Sequence, residues 1–219
     1  MMKTLLLGRI KSDATHITKV KNPTKEFLIK AIDLNYQVIW YLDDPADELV
    51  QLAVYKNVVA LRDLPPQSFA VNQYAIKVDP RALKYIKDPA EEIQLMAVNR
   101  NGLLIGLIPE PSVEVQIAAV TNTAEAVTRI KDPHLDAQII AIDYDYMMVN
   151  KIPTAHVEAI KMAIHEMKNN KRKTTRRIID LTKHQLSISQ WWELVQEFPD
   201  LHAIMNLTEE QRSYAILCS

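Results

Sequence analysis

The side chains best suited to metal or nucleophilic chemistry in this chain are His16, His134, His156, His165, His184 and His202, together with a single cysteine, Cys218. No two of the histidines bracket a glutamate at the spacing of a helical zinc site. His165 and Glu166 are sequence neighbours, so on a helix their side chains diverge. His134 and His156 stand 22 residues apart and could approach each other across adjacent structural units, but no third ligand accompanies them. One cysteine excludes a disulfide framework and any multi-cysteine zinc site. With 3 glycines in 219 residues, the chain lacks the material for a phosphate-cradling loop, and no Gly-x-Ser-x-Gly elbow is present. The expectation is no catalytic site, no metal and no cofactor.

Other polar groups point to binding. Residues 168–177 contain 6 basic side chains in 10, among them Lys171, Arg172, Lys173, Arg176 and Arg177. Such a patch could hold nucleic-acid phosphates, or form an exposed loop or partner patch, since acids follow it and no aromatics interleave it. Gln94, Gln116 and Gln138 recur every 22 residues, either as a polar ridge that reads an extended partner or as a solvated face of good helix formers. Asp143, Tyr144, Asp145 and Tyr146 form an acidic aromatic cluster. Charge is uneven: residues 1–30 carry 7 basic and 2 acidic side chains, residues 31–154 carry 10 and 17, and residues 155–219 carry 9 and 8. An acidic central body disfavours wrapping along a nucleic-acid backbone and suits a partner protein with a basic surface.

The elements that must position these groups follow from an internal repeat. Alanines at 31, 53, 75, 97, 119, 141 and 163 are spaced by 22, and each precedes a β-branched residue, from Ile32 to Ile164. Eight residues before them stand Pro23, Pro45, Gln67, Pro89, Pro111, Pro133 and Ala155. Asn22, Asp44, Asp88 and Asp132 precede prolines and read as N-caps, with the proline at the first helical position. Glu26, Glu48, Glu92, Glu114, Asp136 and Glu158 then place a carboxylate at the positive end of the helix dipole in every repeat but the one with Ala70. Phe27, Leu49, Val71, Ile93 and Val115 lie one turn before the alanine and complete a buried stripe. Asn35, Asn57, Asp79, Asn101, Thr123 and Asp145 follow four residues after it, where a left-handed residue could end the helix. A second apolar segment comes next (Val38-Ile39, Ala60-Leu61, Ala82-Leu83, Leu104-Ile105, Ala126-Val127, Met148-Val149), short enough to be partly 3₁₀. Each unit is thus a helix, a tight turn and a shorter helix, and neither helix can bury its face alone. The predicted fold is an all-α solenoid of about six to seven 22-residue helix-turn-helix repeats with a C-terminal helical cap.

The unit Asp88-Pro89-Ala90-Glu91-Glu92-Ile93-Gln94-Leu95-Met96-Ala97-Val98-Asn99-Arg100-Asn101 resembles the short proline-started αα repeats of bacterial and bacteriophage proteins. It is also similar to the leucine-rich-repeat variant family, and the likeness extends over about 145 residues. That resemblance implies an α-helix alternating with a shorter helix in a right-handed superhelix. It also implies a binding scaffold, and it points to a phage factor directed at a host enzyme or defence complex. The cysteine-ligated cluster of some variant-repeat proteins has no counterpart here.

The array begins with a half-repeat around His16-Ile17 and loses its register after Ala163-Ile164, whose helix is expected to run to about residue 170. The resulting division is an N-terminal cap and half-repeat (1–22), a repeat domain (23–170) and a helical cap (171–219). Ser187-Ile188-Ser189-Gln190 has capping-box spacing before Trp191 and Trp192. The two indoles cannot face the same way, so one packs inward while the other covers the end of the array or anchors an interface, which allows a homodimer. Tyr36, Trp40 and Tyr41 are assigned to covering the first end of the core. Met1–Leu7 imitates a signal peptide, but Gly8-Arg9 ends its apolar run, and no run approaches membrane-helix length. The expectation is a cytoplasmic, non-enzymatic protein-binding scaffold, with nucleic-acid binding through 168–177 as the alternative.

Overall fold

The structure, a computed structural model, describes residues 2–169, 179, 184, 186–199 and 201. It divides into two compact units, Met1–Arg100 and Asn101–Ser219. The boundary falls inside the 23–170 array.

In the first unit α-helices alternate with short 3₁₀ helices: α1 (Met2–Ser12), η1 (Ala14–Lys19), α2 (Lys25–Leu34), η2 (Tyr36–Tyr41), α3 (Asp47–Lys56), η3 (Val58–Leu61), α4 (Phe69–Val78), η4 (Pro80–Tyr85) and α5 (Glu91–Val98). The second holds η5 (Gly102–Leu107), α6 (Val113–Asn122), η6 (Ala124–Arg129), α7 (Leu135–Tyr144), η7 (Tyr146–Lys151), α8 (Val157–Asn169) and α9 (Ile188–Glu197). No extended strand occurs among the described residues. Consecutive α-helices pack on one another within each unit, and so do consecutive 3₁₀ helices. The first helical starts of the α2–α8 series keep the 22-residue register of the sequence, from Lys25 to Val157.

The core is the one that periodicity requires. Ala31, Ala53, Ala75, Ala97, Ala119, Ala141 and Ala163 are all fully buried, as are the β-branched residues that follow them. The residue one turn earlier is buried too, from Phe27 to Val115. A methyl group at the contact lets neighbouring backbones come close. At Gly102 the approach is closest: a Cβ there would meet the Ala119 carbonyl oxygen at 2.2 Å, and the Gly102 N–H donates to Asn122 Oδ1 at 2.8 Å.

The two columns of Asn and Asp exchange the roles that local reasoning assigns them. Asn22, Asp44 and Asp88 are not N-caps; their φ values are 51°, 45° and 47°. A following proline disfavours the right-handed helical backbone, and Asn and Asp tolerate the left-handed one. The α-helices begin two residues past the proline position. Thr24, Ser68 and Ser112 are the true caps, accepting from the Phe27, Val71 and Val115 amides at 3.3, 3.2 and 3.3 Å. Ala46 and Ala90 offer no side-chain cap, and those two helices carry acid pairs in the first turn instead, Asp47-Glu48 and Glu91-Glu92.

The second column is extended rather than left-handed, with φ between −148° and −162° at Asn35, Asn57, Asp79, Asn101 and Asp145. Each of these side chains accepts the amide two residues on, which starts the 3₁₀ helix. At Asn35, Asn57, Asp79 and Asp145 the backbone N–H also closes the preceding α-helix on its spine alanine. One short polar residue therefore ends one helix and begins the next.

Candidate binding surfaces

The glutamine column is not a surface ridge. Gln138 is fully buried and Gln116 is 8% exposed, because both amides are consumed inside the fold. Gln138 Nε2 donates to the Pro133 carbonyl at 2.7 Å, and Gln138 Oε1 accepts the His156 N–H at 2.9 Å. Gln116 repeats this, donating to Pro111 at 3.1 Å and accepting from His134 N–H at 2.8 Å. Gln94 is half-buried and donates to Pro89 at 2.8 Å. Asn72 belongs to the same column and reaches the Gln67 carbonyl at 3.3 Å. Gln116 and Gln138 thus stitch the proline loop of one repeat to the helix start of the next, while Gln94 and Asn72 brace their own loops. An amide at every one of positions 72, 94, 116 and 138 is the signal that could have revealed a repeated structural bond.

His134 and His156 stand at consecutive helix starts, and His134 Nδ1 accepts the Asp136 N–H at 3.3 Å. Among the described residues no group of three or more His, Cys, Asp or Glu side chains could hold a metal ion.

Of the acidic aromatic cluster, Tyr146 turns inward and is 7% exposed, so it is withdrawn from the set of partner contacts. Tyr144, the last residue of α7, is 81% exposed. It stands on the rim of a groove of about 580 Å³ formed by the ends of α6 and α7 and the starts of η6 and η7. Part-exposed Ile140 supplies apolar lining, backed by the buried Val120 and Met148, and Glu125, Asp143 and Asp145 supply negative charge against Lys151. Lys151 lies 3.4 Å from Glu125, with both side chains more than half exposed, so the pair is weak. The Asp145 carboxylate accepts the Met147 N–H at 3.0 Å. The Asp143 carboxylate is exposed and has no hydrogen-bond or ion-pair partner among the described residues.

A second groove, of about 600 Å³, lies in the first unit and includes Tyr41, Asp43, Asp44 and the buried Leu49. Nearby, Trp40 Nε1 donates to the Ala60 carbonyl at 2.8 Å, Tyr36 meets its ring edge-on at 5.9 Å, and the Arg62 guanidinium lies 5.2 Å from its centre. These contacts tie Trp40 to the next repeat's 3₁₀ helix.

The basic residues Lys171, Arg172, Lys173, Arg176 and Arg177 lie outside the described residues, as do His202 and Cys218. Within the C-terminal segment, the capping box forms as spaced: Gln190 N–H reaches Ser187 Oγ at 3.3 Å and Ser187 N–H reaches Gln190 Oε1 at 2.8 Å. On α9, Leu194 and Val195 are buried, Trp191 is half-buried, and Trp192 and Ile188 face outward. α9 is held to α8 by charge. Lys161, 14% exposed, contacts Glu193 and lies 3.2 Å from both Glu158 and Glu197. Hydrogen bonds to Glu193 first, then Glu158 and Glu197, hold the Lys161 ammonium well above the ordinary lysine range. His165 Nε2 lies 2.9 Å from Glu197 Oε1, and its ring meets Phe198 edge-on at 4.9 Å.

The His165 bond, with help from Lys161, keeps the Glu197 carboxyl below its ordinary 4.5 against the opposing effect of burial. A depressed carboxyl stabilises the native contact above its unfolded pKa, and that contribution disappears as pH falls through the folded value. Glu197 is 37% exposed, so the effect is no more than about 1 kcal/mol. In a Trp40→Phe background, Trp191 and Trp192 emission is expected to shift red as pH is lowered below 4.5, while far-UV circular dichroism stays constant. Emission that first changes together with global helix loss refutes a separate acid-sensitive junction.

No described helix is long and apolar enough to cross a membrane. No family model matches the chain, and neither a curated protein nor a solved structure matches it.

Proposed function

We propose that this chain is an α-solenoid scaffold that works by binding another protein rather than by catalysis. The two-helix units keep one register in the sequence, and consecutive helices pack on one another within each compact unit, which supports a stacked-repeat reading. The observation that carries the binding reading is Tyr144, a large aromatic side chain 81% exposed beside an acid-rimmed groove. Large exposed aromatics are characteristic of interface anchors. The acidic balance of residues 31–154 supports a partner with a basic surface. The resemblance to bacteriophage repeats supports the more specific role of an inhibitor or adaptor acting on a host enzyme or defence complex.

Parallel capture with immobilised wild-type protein and a Tyr144→Ala, Asp143→Lys variant tests this reading. At least one protein retained by the wild type is expected to fall about ten-fold or more on the variant, the size of a modest hot spot. Indistinguishable retained sets, with the variant as thermally stable as the wild type, reject the reading.

A further inference from the structure

The Tyr144 groove has a chemistry specific enough to name what enters it. Three carboxylates, Glu125, Asp143 and Asp145, surround an apolar wall whose accessible part is Ile140, backed by the buried Val120 and Met148. Lys151 offsets only one of them, at 3.4 Å from Glu125. Asp145 is engaged with the Met147 amide at 3.0 Å. The Asp143 carboxylate is exposed with no hydrogen-bond or ion-pair partner among the described residues, immediately before a tyrosine that is 81% exposed. A ligand that satisfies all of these groups needs a cationic head, an apolar stem and a flat face. Ammonium groups supply the charge but are strongly hydrated and lack a plane to stack on a phenol. A guanidinium is planar, weakly hydrated, and shaped for carboxylate oxygens.

We infer that this groove receives an arginine side chain from an extended basic segment of a partner protein. Its guanidinium lies against the Tyr144 ring and pairs with Asp143, and its methylene stem lies on the apolar lining. The inference rests on the protein-binding reading and adds the partner's chemistry to it. Because the attraction is between solvent-accessible charges, binding weakens as salt rises.

The test uses full-length ¹⁵N-labelled protein titrated with the blocked tripeptide Gly-Arg-Gly and with analogues carrying citrulline or lysine in the middle. With the arginine peptide, amide shifts are expected to concentrate in residues 120–125 and 140–151. Citrulline keeps the shape and removes the charge, so it is expected to produce no shifts there, and lysine weaker ones than arginine. Tyr144→Ala is expected to weaken the arginine peptide about three- to five-fold, the range of an exposed cation–π contact, while Tyr144→Phe retains binding. Both changes lie on an exposed side chain, so folding is preserved.

The inference is overturned by citrulline or lysine acting as strongly as arginine, by Tyr144→Ala leaving affinity unchanged, or by the absence of any shift. It is equally overturned by shifts centred on Tyr41, Asp43 and Asp44 in the other unit. All of these outcomes leave the scaffold reading to the capture experiment, which is independent of the ligand's chemistry.

Discussion

Replacing Gln138 with leucine is expected to destabilise the second unit by about 3 kcal/mol, although glutamine to leucine nearly conserves size and raises helix propensity and apolarity. The reason is the pair of backbone groups the amide serves. Without it, the Pro133 carbonyl loses the donor now at 2.7 Å and the His156 N–H loses the acceptor now at 2.9 Å. Pro133 is itself buried, so water does not readily replace the lost partner. An unsatisfied buried polar group costs about 1–3 kcal/mol; the Pro133 carbonyl becomes one, and the part-buried His156 N–H adds a smaller loss. The same change at Gln116, 8% exposed, is expected to cost less, and at half-buried Gln94 least. Urea unfolding midpoints across the three variants give the order directly. A flat series, or a stabilised Gln138→Leu, means the amide contributes nothing net. Gln138→Glu adds a check of sign: at neutral pH a carboxylate cannot donate to the Pro133 carbonyl, whereas its protonated form can. That variant is expected to gain stability relative to wild type as the pH is lowered from neutral.

Ala119→Leu is expected to cost about 2–3 kcal/mol, whereas Ala118→Leu, one residue earlier on the same helix, stays within about 0.5 kcal/mol. Ala119 is fully buried where η5 lies directly on α6, close enough that even a methyl at Gly102 would meet the Ala119 carbonyl. Three added carbons at this fully buried position must push packed neighbours aside. Ala118 is half-buried, and its side chain has room to extend. Thermal unfolding of both variants separates local overpacking from any general intolerance of α6 to leucine. Equal losses at the two positions remove the close-approach explanation. Because α6 and α7 both line the Tyr144 groove, these stability measurements also serve as the control for the proposed binding, separating a lost contact from a loosened fold.

Much of the architecture was legible before any coordinates. The alanine spine, the apolar residues flanking it and the 22-residue recurrence of helix starts depend on which side chains must leave water, and spacing along the chain encodes that. The short second helix and the Ser187 capping box were legible for the same reason, since each is set by residues within one turn of itself.

The candidate binding surface was much less legible. Tyr144 and Tyr146 are equivalent in composition, two residues apart, yet one is exposed and the other buried, because α7 ends and η7 begins between them. The glutamines looked like surface groups because their polarity is local, whereas their partners are a carbonyl five residues back and an amide eighteen residues ahead. Sequence alone determined the register of this protein's helices and the spine they share, since burial periodicity is a property of the chain. Tertiary structure alone decided which polar side chains are spent inside and which are left exposed, since that depends on backbone groups brought close only when one repeat rests on the next.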